Sequence, residues 1–143
     1  MAAASLARLG WVDLPARILM SALFLLSGLG KITAVAATQV SMAAFGIPGV
    51  LFWPAAALEI GSGILLLLGR GLRPLGLIMA GWCLVTALIF HTAWADQNQI
   101  FDFLKNLAMA GGFLMLAARG APSFGLDGLL GARRIVPVSE SAR

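Results

Sequence analysis

The sequence predicts an all-α polytopic membrane protein, a four-transmembrane-helix bundle with a short interfacial helix between the first two spans. Three observations predict it. Of the 143 residues, 60% are hydrophobic and only 11% charged, against roughly 45–50% and 25% in soluble domains. No charged residue falls between Lys31 and Glu59, and between Arg73 and Asp96 the ionisable side chains are Cys83 and His91 alone. A spanning helix needs about 20 apolar residues, and four stretches meet that need: 14–34, 49–69, 74–95 and 99–118. The chain therefore reads as a single membrane domain, with residues 119–143 as a tail.

The first span opens at Asp13 as N-cap and Pro15 in the first turn, and Arg17, four residues after Asp13, pairs with it on the helix surface. A cleaved signal peptide ending at Ala34-Val35-Ala36 accommodates Asp13, Pro15 and Lys31 poorly. Residues 36–47 carry Thr38, Gln39 and Ser41, with Val40, Ala43, Ala44 and Ile47 on one face. That stretch is too short and polar to span, so it forms an interfacial or re-entrant helix stopped by Gly46, Pro48 and Gly49. Trp53 and Trp94 mark the outer membrane–water interface, whereas Trp82, inside its span, packs. A tight turn, Arg70-Gly71-Leu72-Arg73, leads to Pro74 and the third span; residues 95–98 connect it to the fourth. Gly120-Ala121-Pro122 ends the bundle, and Phe124, Leu126, Leu129 and Leu130 give the tail a loosely held, membrane-surface character.

The formal charge of +4 has a topological explanation rather than a nucleic-acid one. Arg8, Arg17, Arg70, Arg73, Arg119, Arg133, Arg134 and Arg143 all belong to one side of a four-span chain, which the positive-inside rule makes cytoplasmic together with both termini. Lys31 and Lys105 are the two basic residues outside that set. A single cysteine, Cys83, rules out an intramolecular disulfide, a Cys-x-x-Cys pair and an iron–sulfur cluster, and one histidine rules out bis-histidine haem ligation within the chain. No metal site is expected.

Glu59 is the most informative position, because a carboxylate at the centre of a membrane helix costs about 2.5–3.5 kcal/mol and marks a site with a partner. At about 1.5 Å of rise per residue, Lys31 and Lys105 lie about 21 Å from the arginine-bearing end, Glu59 about 16 Å and Asn106 about 20 Å. Asp102 and His91 lie at about 25–27 Å on the same scale. All six converge on the outer half of the bundle, where Lys31 or Lys105 can reach Glu59 by snorkelling. Gly28, Gly61, Gly63, Gly111 and Gly112 would let helices approach closely there. Plainer readings stand beside this one: a buried ion pair that fixes helix order, a belt histidine, an asparagine joining two helices, and a local Asp102–Lys105 pair.

The chain resembles the DoxX family of small bacterial membrane proteins over nearly its whole length. The resemblance is carried by Arg17-Ile18-Leu19 leading to Phe24-Leu25-Leu26-Ser27-Gly28-Leu29-Gly30-Lys31, and by Glu59-Ile60-Gly61-Ser62-Gly63 with Leu66-Leu67-Leu68-Gly69. It continues in His91 with Trp94-Ala95-Asp96, in Phe103-Leu104-Lys105-Asn106-Leu107 with Gly111-Gly112, and in Ser123-Phe124-Gly125-Leu126-Asp127. It implies a four-helix fold in the bacterial plasma (inner) membrane and an association with respiratory or redox systems. The family is named after a terminal quinol oxidase subunit and is similar to a subunit of thiosulfate:quinone oxidoreductase. The reading that follows is a redox-associated accessory protein, at most a subunit of a quinone-linked oxidoreductase. Lys31, Glu59, His91, Lys105 and Asn106 would bind a quinone or similar small molecule. Glu59 would exchange protons with the outside through His91, an imidazole being suited to a relay. The expected partners are the lipid bilayer and a redox protein or further copies of the chain, with no nucleic acid. The alternative is a non-catalytic structural or assembly subunit.

Overall fold

The computed structural model describes residues 10–120 and 124–133. Six α-helices follow one another: α1 (Gly10–Thr33), α2 (Val35–Ala44), α3 (Phe52–Leu68, entered through a 3-10 turn at Gly49–Leu51), α4 (Leu72–Phe90), α5 (Gln97–Arg119) and α6 (Leu126–Arg133). Four of them, α1, α3 with its entry turn, α4 and α5, are long and apolar enough to cross a membrane. Their outer flanks carry large apolar side chains such as Leu19 at 74% and Leu26 at 71% exposure, a surface suited to lipid and a liability in water. The all-α four-span class with a short helix between the first two spans is the observed one.

Boundaries follow the local backbone. α1 begins before the expected Asp13 cap, so Asp13 sits in the first turn and Pro15 inside the helix. α3 closes on Gly69 at φ +64 and α4 starts from Gly71 at φ +63, two left-handed glycines that reverse the chain within three residues. α4 ends at Phe90, short of the expected 95, because His91 leaves helical geometry at φ −126. Asp96 then caps α5, its carboxylate accepting from the Asn98 N–H at 2.9 Å.

The bundle is built as two tight pairs, α1 against α3 and α4 against α5. In the first pair Gly28 and Gly63 sit where a methyl would lie 2.6 Å from Ile60 and 2.7 Å from Leu25, and Ser21 Oγ donates to the Gly63 carbonyl at 2.8 Å. In the second pair a methyl on Gly76 would lie 2.6 Å from the Phe113 carbonyl oxygen. Close backbone approach through small residues is how membrane helices gain packing without a hydrophobic driving force. Gly61 and Gly111, expected at such contacts, face open space, whereas Gly76 was not expected there. Phe24, Leu66, Leu75, Met79, Cys83 and Phe113 join the pairs in one core, with Phe24 and Phe113 ring centroids 5.4 Å apart.

The end of the bundle that carries Arg17 departs most from expectation. Arg17 is buried at 1% exposure instead of lying on the helix surface. It donates from Nε to Asp13 at 2.9 Å, from Nη1 to the Leu66 and Leu67 carbonyls at 2.9 and 3.2 Å, and from Nη2 to the Phe124 carbonyl. Asp127 at the start of α6 accepts from the Gly71 N–H at 2.6 Å, and its own N–H donates to the Gly69 carbonyl at 3.2 Å. Phe124 and α6 are therefore docked onto the end of α3 and the α3–α4 turn rather than loosely held. The α3 C-terminus leaves carbonyls that need donors, and an arginine fork supplies them. Arg8, Pro122, Ser123, Arg134 and Arg143 lie outside the described residues.

Candidate functional site

Between the two helix pairs, toward the end opposite Arg17, lies a cavity of about 840 Å³. All five candidate residues, Lys31, Glu59, His91, Lys105 and Asn106, line it. Its remaining wall is largely apolar, with Phe24, Leu58, Val85, Ile89 and Met109 prominent. Helix α2 roofs it with Thr38, Ser41 and Met42. Two contacts hold that roof: Gln39 Nε2 donates to the Gly49 carbonyl at 3.1 Å, and Phe45 meets Phe90 edge-on with centroids 5.1 Å apart.

Glu59 is 5% exposed and takes donors from two other helices. Lys31 Nζ reaches its Oε2 at 2.6 Å, Ser27 Oγ donates to the same oxygen at 2.9 Å, and Trp82 Nε1 donates to Oε1 at 3.3 Å. Lys31 also donates to Ser27 Oγ at 2.7 Å. The lysine partner is thus on α1, because Ser27 and Lys31, four residues apart, share the stripe facing α3. Lys105, the other candidate, pairs with Asp102 at 2.9 Å with its side chain 71% exposed at the cavity mouth. The local i,i+3 alternative describes it.

A second polar layer joins α4 to α5. Thr86 Oγ1 lies 2.9 Å from the Trp82 carbonyl, 3.1 Å from that of Cys83 and 3.3 Å from Asn106 Oδ1. One hydroxyl proton serves only one of these acceptors at a time, so the Asn106 oxygen keeps acceptor capacity toward the cavity. Asn106 Nδ2 donates to the Asp102 carbonyl at 3.0 Å. His91 stands at the end of α4 with Nδ1 2.9 Å from Gln99 Oε1. An Nδ1–H donated to that oxygen leaves Nε2 as an acceptor. His91 makes no hydrogen bond with Glu59, so the relay expected between them is not a direct contact.

Ser27, Thr86 and Gln99 are not among the site residues the sequence singles out, and Trp82, which it assigns to packing, donates to Glu59. Two signals point to Trp82 and Ser27. An indole N–H in the middle of an apolar span must find an acceptor, and Ser27 stands four residues before Lys31. No buried polar side-chain atom among the described residues is left without a partner.

Comparison with known proteins places this geometry in a family. A sequence model of DoxX matches residues 12–92, the stretch holding Lys31, Glu59 and His91; Lys105 and Asn106 lie beyond it. The inner membrane protein YqjF of Escherichia coli K12 is 44% identical over 117 residues, covering 82% of this chain and 90% of that protein. The inner membrane protein YphA of the same organism is 33% identical over 119 residues, covering 78% of this chain and 85% of that protein. No solved structure matches. With more than half its length matched by the family model, and with Lys31 and Glu59 brought together inside the matched stretch, this four-span chain belongs to the DoxX family.

Proposed function

We propose that this membrane protein binds a small lipophilic molecule with a polar head, of the quinone type, as an accessory to a redox enzyme. The observation that carries the reading is the cavity: about 840 Å³ of mostly apolar wall onto which four helices bring Lys31, Glu59, His91, Lys105 and Asn106. That volume lies within the roughly 300–1,000 Å³ of small-molecule sites, which combine apolar lining with a few placed polar groups. Lys31 Nζ spends two of its three N–H bonds on Ser27 and Glu59 and has one left for a carbonyl oxygen. Asn106 offers an amide and His91 a ring nitrogen. Glu59 accepts from three donors and so holds Lys31 in place, with Oε1 keeping acceptor capacity beside the Trp82 N–H. Electrons would come from the partner enzyme. That convergence of donors is the specific support for the second reading, a structural subunit in which Glu59 ties three helices together.

Titration with a soluble quinone analogue separates the two. The parent is expected to bind saturably, and His91→Ala to bind at least about tenfold more weakly, about 1.4 kcal/mol. Because His91 lies at a helix end outside the main core, its loss should leave detergent stability within about 1 kcal/mol of the parent. Absence of saturable binding by the parent, or equal binding by an intact mutant, retires the quinone site in favour of the structural subunit. Orientation is part of the same proposal: the inner membrane, with both termini cytoplasmic. Reporter fusions after Arg119 should read cytoplasmic and fusions within residues 95–98 periplasmic, and the opposite pattern would invert the assignment of the cavity to the outer side.

A further inference from the structure

The end of the bundle opposite the cavity carries charge that its own fold does not use. Arg70 lies in the α3–α4 turn, Arg73 in the first turn of α4 and Arg119 at the last residue of α5, and all three are exposed. They form one patch: the Arg73 guanidinium lies against Gly120, the neighbour of Arg119, and α6 is fastened to the Gly69–Gly71 turn that contains Arg70. None of the three is in an ion pair among the described residues. The acids of this end are otherwise engaged, Asp13 with Arg17 and Asp127 with the Gly71 N–H. Even counting Asp127 against the patch, a net positive charge remains. Arg73 is also placed against the helix dipole, since a helix N-terminus favours an anion and here holds a cation. Such an arrangement asks for an external anion.

The same surface is apolar beside the arginines. Phe124, Leu129 and Leu130, on and before α6, are 59%, 64% and 52% exposed. Just inside this end the spans expose Leu68, Leu77 and Met115, side chains that face acyl chains in a bilayer. The patch therefore sits at head-group depth, where phosphates and the first acyl carbons are both within reach, a setting in which interfacial helices lie with their apolar face in the lipid. Basic surfaces at this level attract anionic phospholipids.

We propose that Arg70, Arg73 and Arg119 form a binding site for the phosphate groups of anionic phospholipids, with Phe124, Leu129 and Leu130 seated at the acyl boundary. The docked α6 is then an element that reads membrane composition, held in place by Arg17 and Asp127.

The test uses the full chain in detergent with equal amounts of phosphatidylglycerol and phosphatidylethanolamine, scored by native mass spectrometry of retained lipid. The parent should retain the anionic lipid about tenfold over the zwitterionic one, with the preference declining as salt rises. The triple variant Arg70→Gln/Arg73→Gln/Arg119→Gln should bring retention close to parity while keeping the parent's helicity. Should the triple variant fail to fold, Arg70→Gln alone, whose side chain makes no hydrogen bond among the described residues, should lower the preference about fivefold. A parent without preference, or a folded variant that keeps it, overturns the proposal. So does displacement of the lipid by millimolar inorganic phosphate, which would mark a site for a soluble anion.

Discussion

Glu59→Gln is expected to destabilise the bundle by about 3 kcal/mol, the lower end of the range for breaking a buried ion pair, because Lys31 keeps 29% side-chain exposure to the cavity. The loss has two parts. Lys31 is left as a cation without its counterion, and the glutamine amide has one oxygen where three donors converge, so its NH₂ group must face the Trp82 N–H or the Ser27–Lys31 pair. Adding Lys31→Met should recover much of the loss, since the remaining oxygen can accept from Ser27 while a methionine fills the lysine stem's volume. Lys105→Met combined with Glu59→Gln should be additive, Lys105 being paired with Asp102. Unfolding of the parent, the three single variants and the two double variants in mixed micelles measures both cycles. Additivity with Lys31, or coupling with Lys105, would show that the ion pair is not the one described.

Removal of the Arg17 side chain should be as costly. Arg17→Met eliminates four hydrogen bonds at a site 1% exposed. It takes a donor from the Leu66, Leu67 and Phe124 carbonyls, of which Leu66 keeps the Gly69 N–H at 3.2 Å, at about 1–3 kcal/mol for a buried acceptor left unsatisfied, and strands the Asp13 carboxylate. The expected loss is about 3–5 kcal/mol, as for other buried charges deprived of a partner. A second readout is local: trypsin cleavage after Arg119 should accelerate, because the contact from Arg17 to Phe124 helps hold the following segment against the α3–α4 turn. Arg17→Lys keeps the charge but not the fork, so it should fall between parent and methionine variant. Unchanged proteolysis and stability in Arg17→Met would mean that Asp127 alone holds α6.

Much of this protein is legible along the chain because a bilayer imposes one simple demand. Each span must be a helix of about 20 apolar residues, since lipid offers no partner to backbone polar groups. The four spans and the short helix of residues 36–47 therefore emerge from composition, to within a few residues. Gly69 at φ +64 sets where α3 stops, and Gly71 at φ +63 and the Asp96 cap set where α4 and α5 start, and that is local chemistry too. The band of polar residues was also legible, because an ionisable group in an apolar span is conspicuous and the rise per residue converts position to depth.

What the sequence could not decide is which helix faces which. Depth along a helix is a one-dimensional quantity, whereas partner choice depends on rotation about each axis and on the pairing of α1 with α3 and α4 with α5. Lys31 and Lys105 have equal depth, so only the packed bundle could give Glu59 to Lys31 and leave Lys105 with Asp102. The same holds for Trp82, whose indole could serve packing or bonding until α4 was set beside α3. It holds most for Arg17. Four residues from Asp13, it reads as a surface pair; contacts 49 and 107 residues away in sequence make it a buried clasp. Composition and helical period thus determined the class, the spans and the depth of the polar band, since each depends only on neighbours within a helix. The ion pair, the cavity and the docking of α6 were decided by tertiary structure, since each joins groups on different helices whose mutual rotation no local pattern records.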